Sequence, residues 1–369
     1  MEIPYVNLGL QQEKILDELV SSIRIILKRG DYILGEEVEA FERLFAEKLG
    51  TVYSVGVNSG TDALLLTLNA LNIGIGDEVI TVPNSFLATT SSIILSGALP
   101  IFVDVDKDQN IDPYLIEKAI TKRTKAILPV HLTGRPAKMD IICEIAKKHG
   151  LYVVEDCAQA IGAKYDEQTI GTFGIAGCFS LHPLKNLNGC GDGGVVATNN
   201  EYLATRLKKL RNHGLLNRDE CAEWGYNSRL DSIQAAILNI KLRYIDEWNT
   251  KRRENAKKYI DGLSNTELYL PIETEKEYSV YHAFVIQTEK RDELQMHLSK
   301  YGIDSKIHYP IPIHLQKAAT HLKYKKGDFP VAEKQANTIL SLPIYPELQD
   351  EQIDCIIHFI QSFMREIKQ

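Results

Sequence analysis

The sequence lacks any long hydrophobic run. No stretch approaches 18 consecutive apolar residues, and the first residues carry no positive region followed by the apolar core that marks a secretory leader. Neither a membrane span nor secretion is therefore expected. The sequence predicts a cytoplasmic protein without a membrane partner.

Concentrated positive charge is also missing. The chain has 42 lysine and arginine residues against 49 aspartate and glutamate residues, which gives a net charge of −7. Nucleic-acid binding needs a clustered basic surface that neutralises phosphates. The charge balance therefore argues against a nucleic-acid partner and favours a small-molecule ligand.

Paired cysteines and metal-binding spacings are absent as well. The six cysteines are scattered without a CxxC pair, and no HExxH spacing occurs. Such a distribution is typical of reduced cytosolic thiols rather than of a disulfide framework or a zinc site. We expect no metal.

The chain does carry enough apolar residues for a large core. Its 369 residues are 44% hydrophobic, which predicts about two domains. Between residues 53 and 155 strand patterns alternate with helix patterns, which indicates parallel βαβ units. We therefore predict an α/β fold with a mostly parallel central sheet in a large domain, residues 1–245, and a smaller α/β domain, residues 246–369.

The periodicity also predicts individual elements. Strands are expected at 53–57, 78–82, 99–103, 126–130, 151–155 and 280–286. Helices are expected at 11–28, 36–48, 64–71, 87–96, 113–119, 139–148, 230–253, 290–301 and 350–367. Ligands of parallel sheets bind beyond the carboxyl ends of the strands, so we expect the site at that edge.

One lysine stands in an unusual loop. Residues 179–194 place Lys185 between Ser180 and a turn rich in glycine. An amine that forms a Schiff base needs a lowered pKa and a fixed backbone, and a flexible Gly-rich chain can approach a bound group closely. An isolated lysine of this kind would be an ordinary surface residue, so the interpretation depends on the residues elsewhere in the chain.

Two other stretches supply what such a lysine needs. Gly60 and Thr61 follow a predicted strand and open a helix, an arrangement that directs backbone N–H groups at an anion. Asp156 and Gln159 emerge at a strand end, where a carboxylate can keep a pyridine nitrogen protonated and an amide can bond a ring oxygen. Each stretch, taken alone, is also compatible with simple helix capping.

Together these stretches resemble the DegT/DnrJ/EryC1/StrS family of sugar aminotransferases, which have the fold-type I architecture and use pyridoxal 5′-phosphate. The resemblance implies that Lys185 holds the cofactor and that Gly60, Thr61 and Ser180 bind its phosphate. It also implies that Phe86 stacks on the ring, with Asp156 and Gln159 as ring partners. The segment 225–236 resembles the part whose asparagine, here Asn227, reaches the neighbouring subunit's phosphate, which implies a homodimer with shared sites. Arg229 in the same segment is expected to bind the substrate.

The substrate residues are less clearly marked. His308, Tyr309 and His314 lie in a proline-rich loop that closes the nucleotide-sugar site in the resembling family. His182 stands three residues before the lysine, where a tyrosine is frequent in that family. For these residues simple packing is an open alternative to substrate contact.

The resemblance finally implies a reaction. The expected function is transfer of an amino group from glutamate to a nucleotide-linked keto sugar. Lys185-Asn-Leu and Gly191-Asp-Gly-Gly favour carbon 3, and the lack of an extra basic cluster favours a neutral dTDP-linked 3-keto-6-deoxyhexose over a uronic acid. Amination at carbon 4 and a catalytically inactive regulatory protein are the alternatives. The destination of the product, such as a polysaccharide or an antibiotic, stays open.

Overall fold

The computed structural model describes residues 2–367. The helices are α1 (Leu8–Glu13), α2 (Leu16–Arg29), α3 (Glu36–Leu49), α4 (Gly60–Ala70), α5 (Leu87–Leu95), α6 (Pro113–Ala119), α7 (Met139–His149), α8 (Glu201–Leu210), α9 (Ser232–Lys241), α10 (Ile245–Leu263), α11 (Arg291–Lys300), α12 (Pro330–Thr338) and α13 (Asp350–Glu366). The strands are β1 (Tyr53–Val57), β2 (Glu78–Thr81), β3 (Leu99–Phe102), β4 (Thr124–Ile127), β5 (Tyr152–Asp156), β6 (Lys164–Tyr165), β7 (Gln168–Thr169), β8 (Ala176–Ser180), β9 (Gly194–Thr198), β10 (Glu277–Tyr278), β11 (Phe284–Gln287) and β12 (Ile339–Leu342).

A seven-stranded sheet forms the centre of the molecule, in the order β1-β9-β8-β5-β4-β2-β3. The pairs β2–β3, β2–β4, β4–β5 and β5–β8 are parallel, and β9 runs antiparallel to both of its neighbours. Helices cover this sheet, so its strands are almost wholly buried. The predicted α/β architecture with a mostly parallel central sheet is confirmed.

Helix α3 shows why the sequence folds as it does locally. Val38, Phe41, Phe45 and Leu49 recur at helical spacing and are all buried, so they form one face against the core. The helix ends at Gly50, whose φ of +76° lies in the left-handed region that favours glycine. The predicted helix 36–48 is therefore correct.

Two predicted helices are each divided into two. The pattern at 11–28 becomes α1 and α2, because Ile15 leaves helical geometry (φ −120°, ψ 6°) and is buried in the core. The pattern at 230–253 becomes α9 and α10, with a turn between Leu242 and Tyr244. Apolar periodicity continues across both breaks, because Ile15 is buried at the first and Leu242 and Ile245 are buried at the second, so it does not reveal them.

The apolar residues form two main clusters. The larger packs around the central sheet, and the second is built from α10, α11, α13, β11 and β12. The change from one to the other falls inside α10, between Trp248 and Ala256, while Ile3 at the other end of the chain belongs to the second cluster. The domain boundary at 245 remains a prediction.

Within residues 2–367 no helix combines the length and the apolar character that crossing a bilayer requires.

Candidate active site

A cavity of about 360 Å³ opens at the carboxyl ends of the parallel strands. Most residues singled out in the sequence line it, although they come from segments up to about 250 positions apart. Those brought together are Gly60, Thr61, Phe86, Asp156, Gln159, Ser180, His182, Lys185, His308 and Tyr309.

The start of α4 forms one end of this cavity. Ser59 caps the helix by accepting a hydrogen bond from the Asp62 N–H at 3.1 Å, and the first N–H groups of a helix have no partner within it. Gly60 is required here, because a Cβ at this position would lie 2.6 Å from Cβ of Ser180. The free N–H groups and the Ser180 hydroxyl therefore meet at a site suited to a phosphate. The helix begins at Gly60, four residues before the predicted start.

Asp156 lies at the base of the cavity and is buried. Oδ2 accepts a hydrogen bond from Oγ1 of Thr89 at 2.8 Å, and Oδ1 accepts one from the Ala158 N–H at 3.1 Å. Burial raises the pKa of this carboxyl group, whereas the two hydrogen bonds and the charge of Lys185 oppose the increase. A cationic ligand group beside Asp156 would pair with the buried charge.

Lys185 reaches the same cavity from the loop after β8. Its backbone N–H donates to the carbonyl of His182 at 2.8 Å. Burial lowers the pKa of the amine to about 8, although Asp156 favours the charged form. More of the amine is therefore neutral near physiological pH than in a solvent-exposed lysine, and attack on a carbonyl requires the neutral form.

Gln159 and Phe86 lie near Tyr309 in the part of the cavity above Asp156. Oε1 of Gln159 accepts a hydrogen bond from the Thr133 N–H at 2.6 Å, so its amide nitrogen is directed at the Tyr309 hydroxyl, 3.5 Å away. The Phe86 ring lies 5.7 Å from that of Tyr309 and is 54% exposed. An exposed aromatic ring beside an open cavity is available for stacking on a flat ligand.

Sequence reasoning missed His282, which also lines the cavity. Asn186 donates through Nδ2 to Oδ1 of Asn249 and to the carbonyl of Val280, so its Oδ1 must accept from Nδ1 of His282 at 3.2 Å. Burial, followed by nearby positive groups, holds the pKa of His282 well below its usual range. The ring is therefore neutral and has its acceptor nitrogen at Nε2.

The sequence could have revealed little about His282. It falls in the predicted strand 280–286, but the strand begins only at Phe284 because Tyr281 adopts a positive φ of 43°. Thr89 was missed for a similar reason, since it lies within a predicted helix and only the packing of α5 turns its hydroxyl to Asp156.

The other cavity histidines differ in their environment. Nδ1 of His308 lies 2.9 Å from Oγ of Ser341, and burial lowers its pKa to about 4. His182 is exposed, and its Nδ1 accepts a hydrogen bond from the Leu184 N–H at 3.2 Å. Both rings can therefore reach a ligand at the mouth of the cavity.

Three predicted site residues do not reach this cavity. The side chain of His314 is fully buried, with Nε2 3.0 Å from Oε1 of Glu333 and its ring against Phe329. The structure thus agrees with packing for His314 and not with substrate contact, because its loop turns the ring inward. Asn227 is exposed on the outer surface, and Arg229 donates to Oδ1 of Asn212 at 2.9 Å.

His131, Glu155 and Cys157 form a buried group beside the cavity. The Glu155 carboxylate already accepts hydrogen bonds from the N–H groups of Gly171, Phe173 and Gly174, each at 2.8 Å. Its function in the fold is therefore to hold this turn against the end of β5.

The comparisons with known proteins agree with this geometry. A model of the DegT/DnrJ/EryC1/StrS aminotransferase family matches residues 13–361. The chain belongs to this family. It is 42% identical over 369 residues to a dTDP-3-amino-3,4,6-trideoxy-α-D-glucose transaminase of Streptomyces venezuelae, covering all of this chain and 97% of that protein.

Two further proteins are similar to this chain over nearly its whole length. A pleiotropic regulatory protein of Geobacillus stearothermophilus is 42% identical over 369 residues, with 99% of each chain covered. The crystal structure of DesV from S. venezuelae superimposes with a TM-score of 0.97 at 43% identity and covers 98% of both chains. This protein is therefore an aminotransferase, as the sequence predicted.

Its cofactor is pyridoxal 5′-phosphate, which similar solved structures hold in its aldehyde or its amine form. The residues fit this group. The α4 start with Ser180 matches a phosphate, buried Asp156 matches a pyridine nitrogen that carries a proton, and Lys185 with its lowered pKa matches the aldehyde.

Proposed function

We propose that this aminotransferase converts a dTDP-linked 3-keto-6-deoxyhexose into the corresponding 3-amino sugar, with glutamate as the amino donor. The observation that carries the proposal is full-length similarity to a dTDP-3-amino sugar transaminase, combined with a cavity that brings seven proposed cofactor residues together. The proposed cofactor contacts are Gly60, Thr61, Ser180 and Phe86 in addition to Asp156, Gln159 and Lys185.

The chain's own groups divide the work between binding and proton transfer. When bound, the cofactor supplies an electron sink that allows a proton to leave the α-carbon of the donor. The buried Asp156 carboxylate keeps the pyridine nitrogen protonated, and Thr89 holds that carboxylate in place. Lys185 would hold the cofactor covalently through Nζ. Once the donor amine has displaced it, the free Nζ would accept the proton from the donor α-carbon and hold it for transfer to the cofactor.

The composition of the cavity supports a neutral sugar. Among the described residues that line it, Lys185 is the only lysine or arginine, and the imidazoles of His182, His282 and His308 also line it. A uronic acid would bring a carboxylate that needs a cationic partner. Neutral His282 offers an acceptor that suits a sugar hydroxyl.

The position of amination decides between the two enzymatic alternatives. Purified protein is incubated with glutamate and either a 3-keto or a 4-keto dTDP-6-deoxyhexose, and the new amine is located by NMR. We expect turnover of the 3-keto compound. Turnover of the 4-keto compound alone would contradict the proposal.

We propose a homodimer with shared sites. Asn227 lies outside the cavity of its own chain, and Trp224, three residues earlier, is 93% exposed. Leu216 and Tyr226 of the same segment are also exposed, so a partner subunit would cover an otherwise solvated apolar surface. Sedimentation of the purified protein tests this state, and a monomer with full activity would contradict it.

A cytoplasmic location is proposed on the cysteines. All six are unpaired, and Cys157 and Cys178 are buried with strongly raised pKa values caused mainly by burial. Unpaired thiols are typical of a reducing compartment. Detection of the native protein only outside the cytoplasm would contradict this assignment.

A further inference from the structure

Lys241, the last residue of α9, is wholly buried. Its ammonium group donates to Oδ1 of Asn188 at 2.5 Å. Among residues 2–367 no carboxylate lies within ion-pairing distance of it. A buried cation without an anionic partner is strongly unfavourable, and an apolar side chain of similar length would be easier to accommodate. The position of this lysine therefore calls for a reason beyond packing.

The contacts of Asn188 supply that reason. Its Nδ2 donates to the backbone carbonyl of Lys185 and to Oε1 of Gln11, each at 2.9 Å. A carbonyl can only accept, so the amide must present Nδ2 to Lys185 and Oδ1 to Lys241. Two hydrogen bonds thus connect the Lys241 ammonium group to the peptide that carries the catalytic amine.

The same face of α9 holds the other end of this loop. Gln234, seven residues before Lys241, accepts a hydrogen bond from the Cys190 N–H at 2.8 Å. A Cβ at Gly189 would lie 2.8 Å from Oε1 of Gln234, and one at Gly191 would lie 3.0 Å from its Nε2. The loop 185–191 therefore rests directly on α9, with its glycines at the closest approaches.

We propose that Lys241 is a positioning residue for Lys185. Through Asn188 it holds the Lys185 carbonyl at a fixed distance from α9. The Lys185 amine is thereby kept at one position in the cavity. This role rests on the function of Lys185 as the cofactor lysine. It does not depend on the identity of the sugar.

The test measures attachment of pyridoxal phosphate to the cofactor-free protein. The Lys185 amine condenses with the cofactor aldehyde and releases water, and the absorbance change reports the rate. We expect Lys241→Met to slow this step roughly 10- to 100-fold, because small displacements of a reacting group have effects of that size. The pH at which the attached cofactor changes its absorbance should shift as well, which a purely structural role would not cause.

Asn188→Asp provides a second route to the same contact. Its carboxylate still pairs with Lys241, so the buried charge is satisfied and folding is retained, but it cannot donate to the Lys185 carbonyl. We expect the same slow attachment. Attachment at the wild-type rate in Asn188→Asp overturns the inference, whatever Lys241→Met does.

A double-variant cycle and a matched control complete the design. Asn188→Ala with Lys241→Met should be no slower than Asn188→Ala alone, since the two act in series. Full additivity of the two losses overturns the inference. The control is Asn239→Leu, which removes a hydrogen bond between α9 and α3 that Nδ2 of Asn239 donates to the Glu37 carbonyl at 3.0 Å. This variant should attach the cofactor at the wild-type rate.

The outcomes also separate this inference from the proposed function. If the wild-type protein attaches no cofactor, the role of Lys185 fails. If the wild type and Lys241→Met attach it equally fast, only the positioning role fails.

Discussion

The sides of the cavity that we assign to the cofactor and to the substrate are built differently. On the cofactor side, Asp156 and Gln159 each have fixed hydrogen-bond partners within the chain. On the substrate side, His182 is exposed and the neutral ring of His282 has an acceptor nitrogen at Nε2. The chain therefore determines the chemistry within itself and leaves selectivity to loops and, in our proposal, to a partner subunit.

The largest effect should come from removing the reacting amine. Lys185→Ala should abolish cofactor attachment and transamination, because no other described lysine lines the cavity. The fold should persist, because removing the amine leaves the backbone contacts of the loop in place. Activity and circular dichroism are compared with those of Lys147→Ala, an exposed control on α7. Turnover near the wild-type rate would place the cofactor lysine elsewhere.

Asp156→Asn should be the next most damaging change. The variant keeps the size of the side chain but loses the charge that holds the pyridine nitrogen protonated, so we expect a loss of several orders of magnitude in kcat. Thr89→Val, which removes one hydrogen bond to that carboxylate, should cause a smaller loss, roughly tenfold or more. Equal rates for wild type and Asp156→Asn would exclude Asp156 as the ring partner.

The shared-site proposal predicts recovery of activity in mixed dimers. If Asn227→Ala alone is impaired, mixing it with Lys185→Ala subunits should regenerate one intact site per heterodimer. Each mixed dimer should reach at most about half of the activity of a wild-type dimer, because it has one intact site instead of two. Absence of recovery after verified subunit exchange would mean that Asn227 acts within its own chain or has no role.

A smaller effect concerns stability against pH in the cofactor-free protein. The pKa of Lys185 is lowered to about 8 when folded, against about 10.4 for an unfolded lysine. Between these values the unfolded chain binds more protons, so stability rises with pH, and the destabilising effect of Lys185 is largest below the folded pKa. Lys185→Met should therefore stabilise the protein at about pH 7 and lose that advantage by about pH 10. Urea denaturation at both pH values measures the difference, and a constant difference would contradict the lowered pKa.

The least effect on activity is expected for His314. His314→Leu removes a buried contact to Glu333 and should lower the free energy of unfolding by about 1–3 kcal/mol. The KM for the sugar should not change, because the ring lies outside the cavity. A raised KM for the sugar with an unchanged free energy of unfolding would indicate that His314 contacts the substrate.

The sequence revealed the residues that local motifs mark, but not the residues whose roles depend on contacts with distant segments. Lys185, Asp156 and the Gly60 turn were recognisable because each lies in a short stretch whose residue types suit the chemistry and because the three stretches occur together in one chain. His282, Thr89 and Lys241 were not recognisable, since their roles depend on contacts with residues far away in the chain. His314 was assigned to substrate because its proline-rich loop predicts exposure, whereas packing against Phe329 buries it.

The sequence by itself determined the alternation of strands and helices, the parallel sheet and the chemistry of the cofactor residues, because these depend on local periodicity and on residue type. Only the tertiary structure decided which side chains share the cavity, which tautomer His282 adopts and why a lysine is buried in α9. Those properties arise from hydrogen bonds between distant segments. The Lys185 carbonyl fixes the orientation of the Asn188 amide, and Oδ1 of Asn186 fixes the tautomer of His282.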